Sequence, residues 1–122
     1  MDTKTNWNHS TAAVCMKDGK VLLARHTYGG GKGKLIIPGG YLQENETPED
    51  AVKREFLEEV GIEIRPLDII GIRCNTKDWY IVFRAEPVSG EARPDYDEID
   101  EVLWLDTEEA LARDDVPFLT KA

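Results

Sequence analysis

Residues 40–62 read GYLQENETPEDAVKREFLEEVGI, and the reading of the fold turns on this stretch. Thr47-Pro48-Glu49-Asp50 predicts a helix start. A threonine hydroxyl at the N-cap accepts a first-turn amide, and proline suits the first helical position, where no amide donor is needed. Asp50 makes a variant of the capping box. The helix runs to Val60, and Gly61 stops it, because glycine enters the left-handed conformation without steric cost. Glu55, Glu58 and Glu59 then fall at i, i+3 and i+4, an arc of about 100° on one face. Val52, Phe56, Leu57 and Val60 fall on the other side, expected against a sheet, with Lys53 interrupting the stripe. Arg54 precedes Glu58 by four residues and is placed to pair with it. Three carboxylates on one arc repel one another. A hard divalent cation such as Mg²⁺, which takes oxygen ligands, accounts for them; an exposed, solvated acidic helix face is the alternative.

Outward from the helix, residues 11–17 and 20–26 are apolar runs separated by Asp18-Gly19, a strong hairpin pattern because both residues tolerate positive φ. Residues 28–34 read as a flexible loop, and residues 35–37 as a short strand stopped by Pro38-Gly39-Gly40. Residues 67–74 and 79–85 read as strands, 87–98 as a long acidic loop, 101–105 as a strand and 107–113 as a short helix. No element is assigned to the polar residues 1–10. Residues 116–122 look like an apolar helix start that stops at once, a docked tail or a truncation. Mixed strands and helices predict an α/β chain with a mixed sheet and helices on its faces, in one domain over residues 1–122.

The chain has 122 residues and a formal net charge of -9. Residues 44–63 hold eight acids and two bases, and residues 91–101 hold six acids and one base, so these two segments carry all of the excess. This balance argues against a stable nucleic-acid partner or an acidic membrane surface. The N-terminus lacks an apolar signal core, and no apolar run approaches the ~20 residues of a membrane span. A soluble cytoplasmic protein is therefore expected. Cys15 and Cys74 form no C-x-x-C pair, and both lie in apolar stretches, so two buried, reduced thiols are expected.

From Gly40, five residues lead to Glu46, seven more to Arg54, and then the chain reads Arg54-Glu55-Phe56-Leu57-Glu58-Glu59-Val60-Gly61-Ile62. This resembles the Nudix box, G-x5-E-x7-R-E-U-x-E-E-x-G-U with U apolar, at all nine specified positions across 23 residues. The resemblance to the MutT-like Nudix hydrolases covers essentially the whole chain. It implies an α/β/α sandwich around a mixed β-sheet. It also implies an enzyme that cleaves a nucleoside diphosphate linked to another moiety, by water attack at phosphorus with Mg²⁺ or sometimes Mn²⁺. By that resemblance Glu55, Glu58 and Glu59 are metal-binding carboxylates and Arg54 orients them. Gly39 offers a metal-ligating carbonyl, Gly40 and Gly61 shape the backbone, and Glu46 is supporting. A further glutamate comes from a later loop. Glu98, six residues before Trp104, is the candidate, with Asp97 and Glu101 as alternatives. The general base stays open among Glu55, Glu58 and Glu98.

Divalent ions would let an acidic site accept an anionic diphosphate. Arg25, Lys32, Lys34, Arg73 and Arg84 are candidates to hold phosphates, with Arg25 and Arg84 foremost because each sits in a predicted strand. Trp7, Tyr28, Trp79 and Tyr80 are candidates for base stacking. The Gly29–Lys34 run fails the P-loop pattern, since Leu35 replaces its Ser or Thr. The expected partner is a small nucleotide, with monomer and homodimer both open. A non-catalytic nucleotide sensor on the same fold is the competing reading.

Overall fold

The computed structural model describes residues 5–27, 32–74, 76–95 and 99–115, with side chains from His9 onward. The chain opens with a hairpin. Strands β1 (Thr5–Lys17) and β2 (Lys20–His26) are joined at Asp18 and Gly19, whose φ values of 54° and 79° supply the turn. Then follow β3 (Leu35–Ile36), β4 (Gly39–Gln43) and helix α1 (Pro48–Val60). After α1 come β5 (Glu63–Cys74), β6 (Trp79–Ser89), β7 (Ile99–Asp106) and the short helix α2 (Thr107–Ala112).

The strands form a sheet of order β3-β2-β1-β6-β5, with β4 also paired to β1 and β7 to β2. β1 and β6 run parallel from His9↔Trp79 to Cys15↔Ala85, while the other pairs are antiparallel, so the sheet is mixed as expected. Alternation along β1 divides the core between two faces. Ala13 and Cys15 join Leu22, Ala24, Phe83 and Ala85 beneath Val52, Phe56 and Val60 of α1. Ala12 points the other way and joins Val21, Leu23, Leu35, Leu105 and Ala110 of α2.

The helix boundaries follow the caps read from the sequence. The Thr47 hydroxyl accepts from the Asp50 amide at 3.1 Å, and Gly61 stands left-handed at φ 73°. Four expectations are corrected. First, β1 begins at Thr5, inside the polar segment given no element, because backbone pairing to β4 and β6 does not require apolar side chains. Second, Gly39 and Gly40 do not merely stop a strand but open β4, opposite Ala12 and Thr11. A Cβ on Gly39 would lie 2.2 Å from the Thr11 carbonyl oxygen, so this glycine marks close backbone approach.

Third, α1 turns Val52, Phe56, Glu59 and Val60 inward, spaced i, i+4, i+7 and i+8, and leaves Leu57 54% exposed. Fourth, Cys15 is buried, its thiol pushed up to about 12 by burial, but Cys74 is exposed at the end of the edge strand β5. Among the described residues, no helix is long and apolar enough to cross a membrane.

Gly61 carries the junction between α1 and β5. A Cβ there would meet Arg93 Cγ and Nε at 3.1 Å on a backbone that side chains adopt reluctantly. Gly61→Ala is expected to cost about 1–2 kcal/mol in urea unfolding; an unchanged midpoint would contradict this.

Candidate active site

The site is organised from one side chain of α1. Arg54 Nε–H donates to Glu46 Oε2 at 2.7 Å, and Nη2 donates to Glu46 Oε1 at 3.1 Å and to the Tyr41 carbonyl at 3.0 Å. Nη1 donates to Glu55 Oε1 at 2.9 Å and to Glu58 Oε1 at 3.0 Å. Glu46 also accepts the Gln43 amide at 2.8 Å, so the turn between β4 and α1 is clasped from both ends. One guanidinium thus ties strand, turn and helix together, using the fixed donor fork that a lysine lacks. The Arg54 hydrogen bond, chiefly, holds the Glu46 carboxyl below the usual glutamate range.

Next to this cluster lies a second interaction of opposite character. Glu55 is mostly buried, and burial is the main cause that raises its carboxyl above the usual range, opposed by hydrogen bonds with Glu59 and Arg54. Glu59 is only 4% exposed. Glu55 and Glu59 thus bring two carboxyl groups together on the inner side of the arc. Gly40 lies directly under this pair. A Cβ on it would stand 2.5 Å from the Glu55 carboxyl carbon and 2.7 Å from both oxygens, so the carboxyl group occupies the space that any other residue would fill. Thr11, opposite Gly40 on β1, is fully buried, and its hydroxyl has no hydrogen-bond partner among the described residues.

This donor set fits a hard divalent cation. The groups are oxygens, the glycine cradle admits a carboxylate, and a cation would relieve the repulsion between neighbouring carboxylates. Among the described residues, no group of three or more His, Cys, Asp or Glu side chains is gathered closely enough to hold a metal. Glu58 turns toward Arg54 and solvent, with its side chain 55% exposed. Gly39 sits beside Gly40 on β4. Glu98 and Asp97 lie outside the described residues, as do Tyr28 and the side chain of Trp7.

The structure thus brings together Arg54, Glu55, Glu58 and Glu59, with Glu46 and Gly40, and leaves other candidates elsewhere. Arg25 donates to Glu101 at 2.7 Å, to Asp115 at 3.0 Å and to the Gly33 carbonyl at 2.7 Å. Arg84 pairs with Asp68 at 2.9 Å. Arg25 alternates with Ala24, and Arg84 with Phe83 and Ala85, whose side chains pack beneath α1, so both arginines project from the opposite face of the sheet. Trp79 stacks on His9 with ring centroids 4.4 Å apart. Arg73 lies over the Tyr80 ring at 5.5 Å. Lys32 and Lys34 are exposed. Two features escape the sequence reading: the Tyr41 carbonyl that Arg54 meets, which no side-chain pattern reveals, and the burial of Thr11, hidden at the start of an apolar run. The alternation Thr11, Ala13, Cys15 was its only trace.

The family model of the NUDIX domain matches residues 7–121. A MutT-like protein of Streptomyces ambofaciens is 35% identical over 102 residues, which cover 82% of this chain and 64% of that protein. An oxidized purine nucleoside triphosphate hydrolase of Danio rerio is 34% identical over 115 residues, covering 79% of this chain and 72% of the relative. A NUDIX hydrolase structure from Nitrosomonas europaea shares the fold at a TM-score of 0.81 and 23% identity, covering 94% of this chain and 64% of that one. The chain spans from about a third to just under two thirds of the length of the first curated relatives it matches.

The Arg54 cluster fixes a pH response. Glu46 is held below its ordinary value, so its contribution to stability is present above the usual glutamate range, near pH 4.3, and is lost as pH falls through the lower folded value. Arg54→Met removes that contribution and leaves partly buried carboxylates uncompensated, an expected cost of roughly 2–4 kcal/mol at pH 7. Urea unfolding of the variant should also depend less steeply on pH below about 4.5 than that of the wild type. Parallel pH curves would contradict the assignment.

Proposed function

The chain belongs to the Nudix hydrolase family, and from that premise we propose that it is a divalent-metal-dependent pyrophosphohydrolase of small nucleotides. The observation that carries this reading is the Glu55–Glu59 carboxyl pair, set over Gly40 and tied through Arg54 to Glu46 and Glu58. Glu55, Glu58 and Glu59 would hold the cation, with the Gly39 carbonyl and Glu98 completing the set by family resemblance. When bound, a divalent cation neutralises phosphate charge and makes water a better nucleophile. Arg54 holds Glu55 and Glu58 in position so that neither must be ordered when substrate arrives. The general base would come from Glu55, Glu58 or Glu98, each a carboxylate able to take a proton from the attacking water.

A nucleoside triphosphate is the favoured substrate class, because the relative from Danio rerio, of which the match covers 72%, is by its name a hydrolase of such molecules. The general surface is acidic, so attraction of the substrate falls to the cation and not to bulk charge.

The test is turnover of a panel of nucleoside triphosphates, ADP-ribose and nucleotide sugars by the full chain with Mg²⁺ or Mn²⁺. Hydrolysis at a phosphoanhydride is expected, and Glu59→Gln should lower it about 100-fold or more while circular dichroism stays native. Equal turnover by the variant would overturn the reading. Mg²⁺ alone should also raise the melting temperature, since at 100 times its Kd a ligand of the folded state stabilises by about 2.7 kcal/mol. Indifference to millimolar Mg²⁺ would count against the site.

A further inference from the structure

Thr11 is the strongest feature that the site's family pattern leaves unused. It is completely buried, and its Oγ1 takes part in no hydrogen bond among the described residues. A buried hydroxyl without a partner costs about 1–3 kcal/mol, whereas a valine of nearly the same shape at that position would cost nothing of the kind. Alternation along β1 sets the Thr11 side chain on the face of Ala13 and Cys15, which pack beneath α1. Thr11 also pairs directly with Gly40 of β4. Side chains directly opposite in an antiparallel pair share one face with Cβ atoms about 4.5–5.5 Å apart. At Gly40 the place of the missing Cβ is filled by the Glu55 carboxyl group. Thr11 therefore stands on the sheet opposite the place that the Glu55 carboxyl group fills.

We propose that Thr11 is a positioning residue of this carboxylate site, its hydroxyl donating to Glu55 or Glu59 when those carboxylates turn toward a divalent cation. The inference rests on the metal-dependent reading above. Its chemistry is that of an outer layer of donors. A carboxylate that ligates a metal through one oxygen keeps lone pairs that need donors of their own, and loss of such a donor weakens metal binding. Arg54 reaches Glu55 and Glu58 from the solvent side of the helix. Thr11 shares the sheet face of Ala13 and Phe83, which offer no hydrogen-bonding side chain.

The experiment is Mn²⁺ titration of the full chain followed by electron paramagnetic resonance, a readout that needs no substrate. Thr11→Val should weaken Mn²⁺ binding about 10- to 100-fold, Thr11→Ser should restore it to within about threefold of the wild type, and the metal-free valine variant should melt at or above the wild-type temperature. This pattern separates positioning from a structural role, which would lower the melting temperature and leave affinity alone. If the wild type binds Mn²⁺, Glu59→Gln abolishes binding and Thr11→Val does not change it, the proposal for Thr11 is overturned while the metal reading stands. If the wild type binds no Mn²⁺, both fall.

Discussion

The guanidinium of Arg54 meets Glu46, Glu55 and Glu58 at once, and the geometry of the site depends on that ion cluster. Its contacts fall on three pieces of chain. Glu46 belongs to the turn that leads into α1, the Tyr41 carbonyl to β4, and Glu55 and Glu58 to the helix itself. Partly buried charge is costly unless every partner is satisfied, so a cluster of this kind admits little rearrangement. It fixes how far α1 enters over β4, and hence where Glu55 stands above Gly40. Glu55, held by Arg54 at 2.9 Å, and Glu59, only 4% exposed, are the two inward carboxyl groups of the arc.

The cost of this arrangement is visible in the packing. α1 turns Glu59 toward the sheet in the spacing of an apolar stripe and turns Leu57 out to solvent. For stability alone, the reverse choice would bury more apolar surface. A glutamate in the inward stripe, a glycine under the Glu55 carboxyl and an unsatisfied threonine opposite that glycine each violate a local packing preference. Violations of local rules concentrate where a protein does chemistry.

What was legible in the sequence followed the range of each interaction. Thr47, Pro48 and Gly61 mark the helix ends because caps act within a turn of the chain. Asp18-Gly19 marks the hairpin for the same reason. The carboxylates and Arg54 were legible as a spaced pattern, although spacing alone did not tell which way each would face: the arc of Glu55, Glu58 and Glu59 divides into one inward residue, one between and one outward. The parallel pairing of β1 with β6 joins segments some 70 residues apart and leaves no local trace. The exposure of Cys74 follows from β5 lying at the sheet edge, a property of strand order and not of the residues in it. Gly39 and Gly40 read as a turn, since close approach and positive φ both select glycine, and only the neighbours Thr11 and Glu55 tell them apart.

On the proposed function, a divalent cation binds between α1 and β4, at Glu55 and Glu59, and not at the many exposed acids of this chain. Amide resonances broadened by substoichiometric Mn²⁺ in a nitrogen-15 nuclear magnetic resonance spectrum test it residue by residue. The account predicts that Thr11, Gly39, Gly40, Glu55 and Glu59 broaden first. Broadening that begins instead at the exposed acids Glu44, Glu49, Glu108 and Glu109, with the Gly40 and Glu59 signals intact, would contradict it.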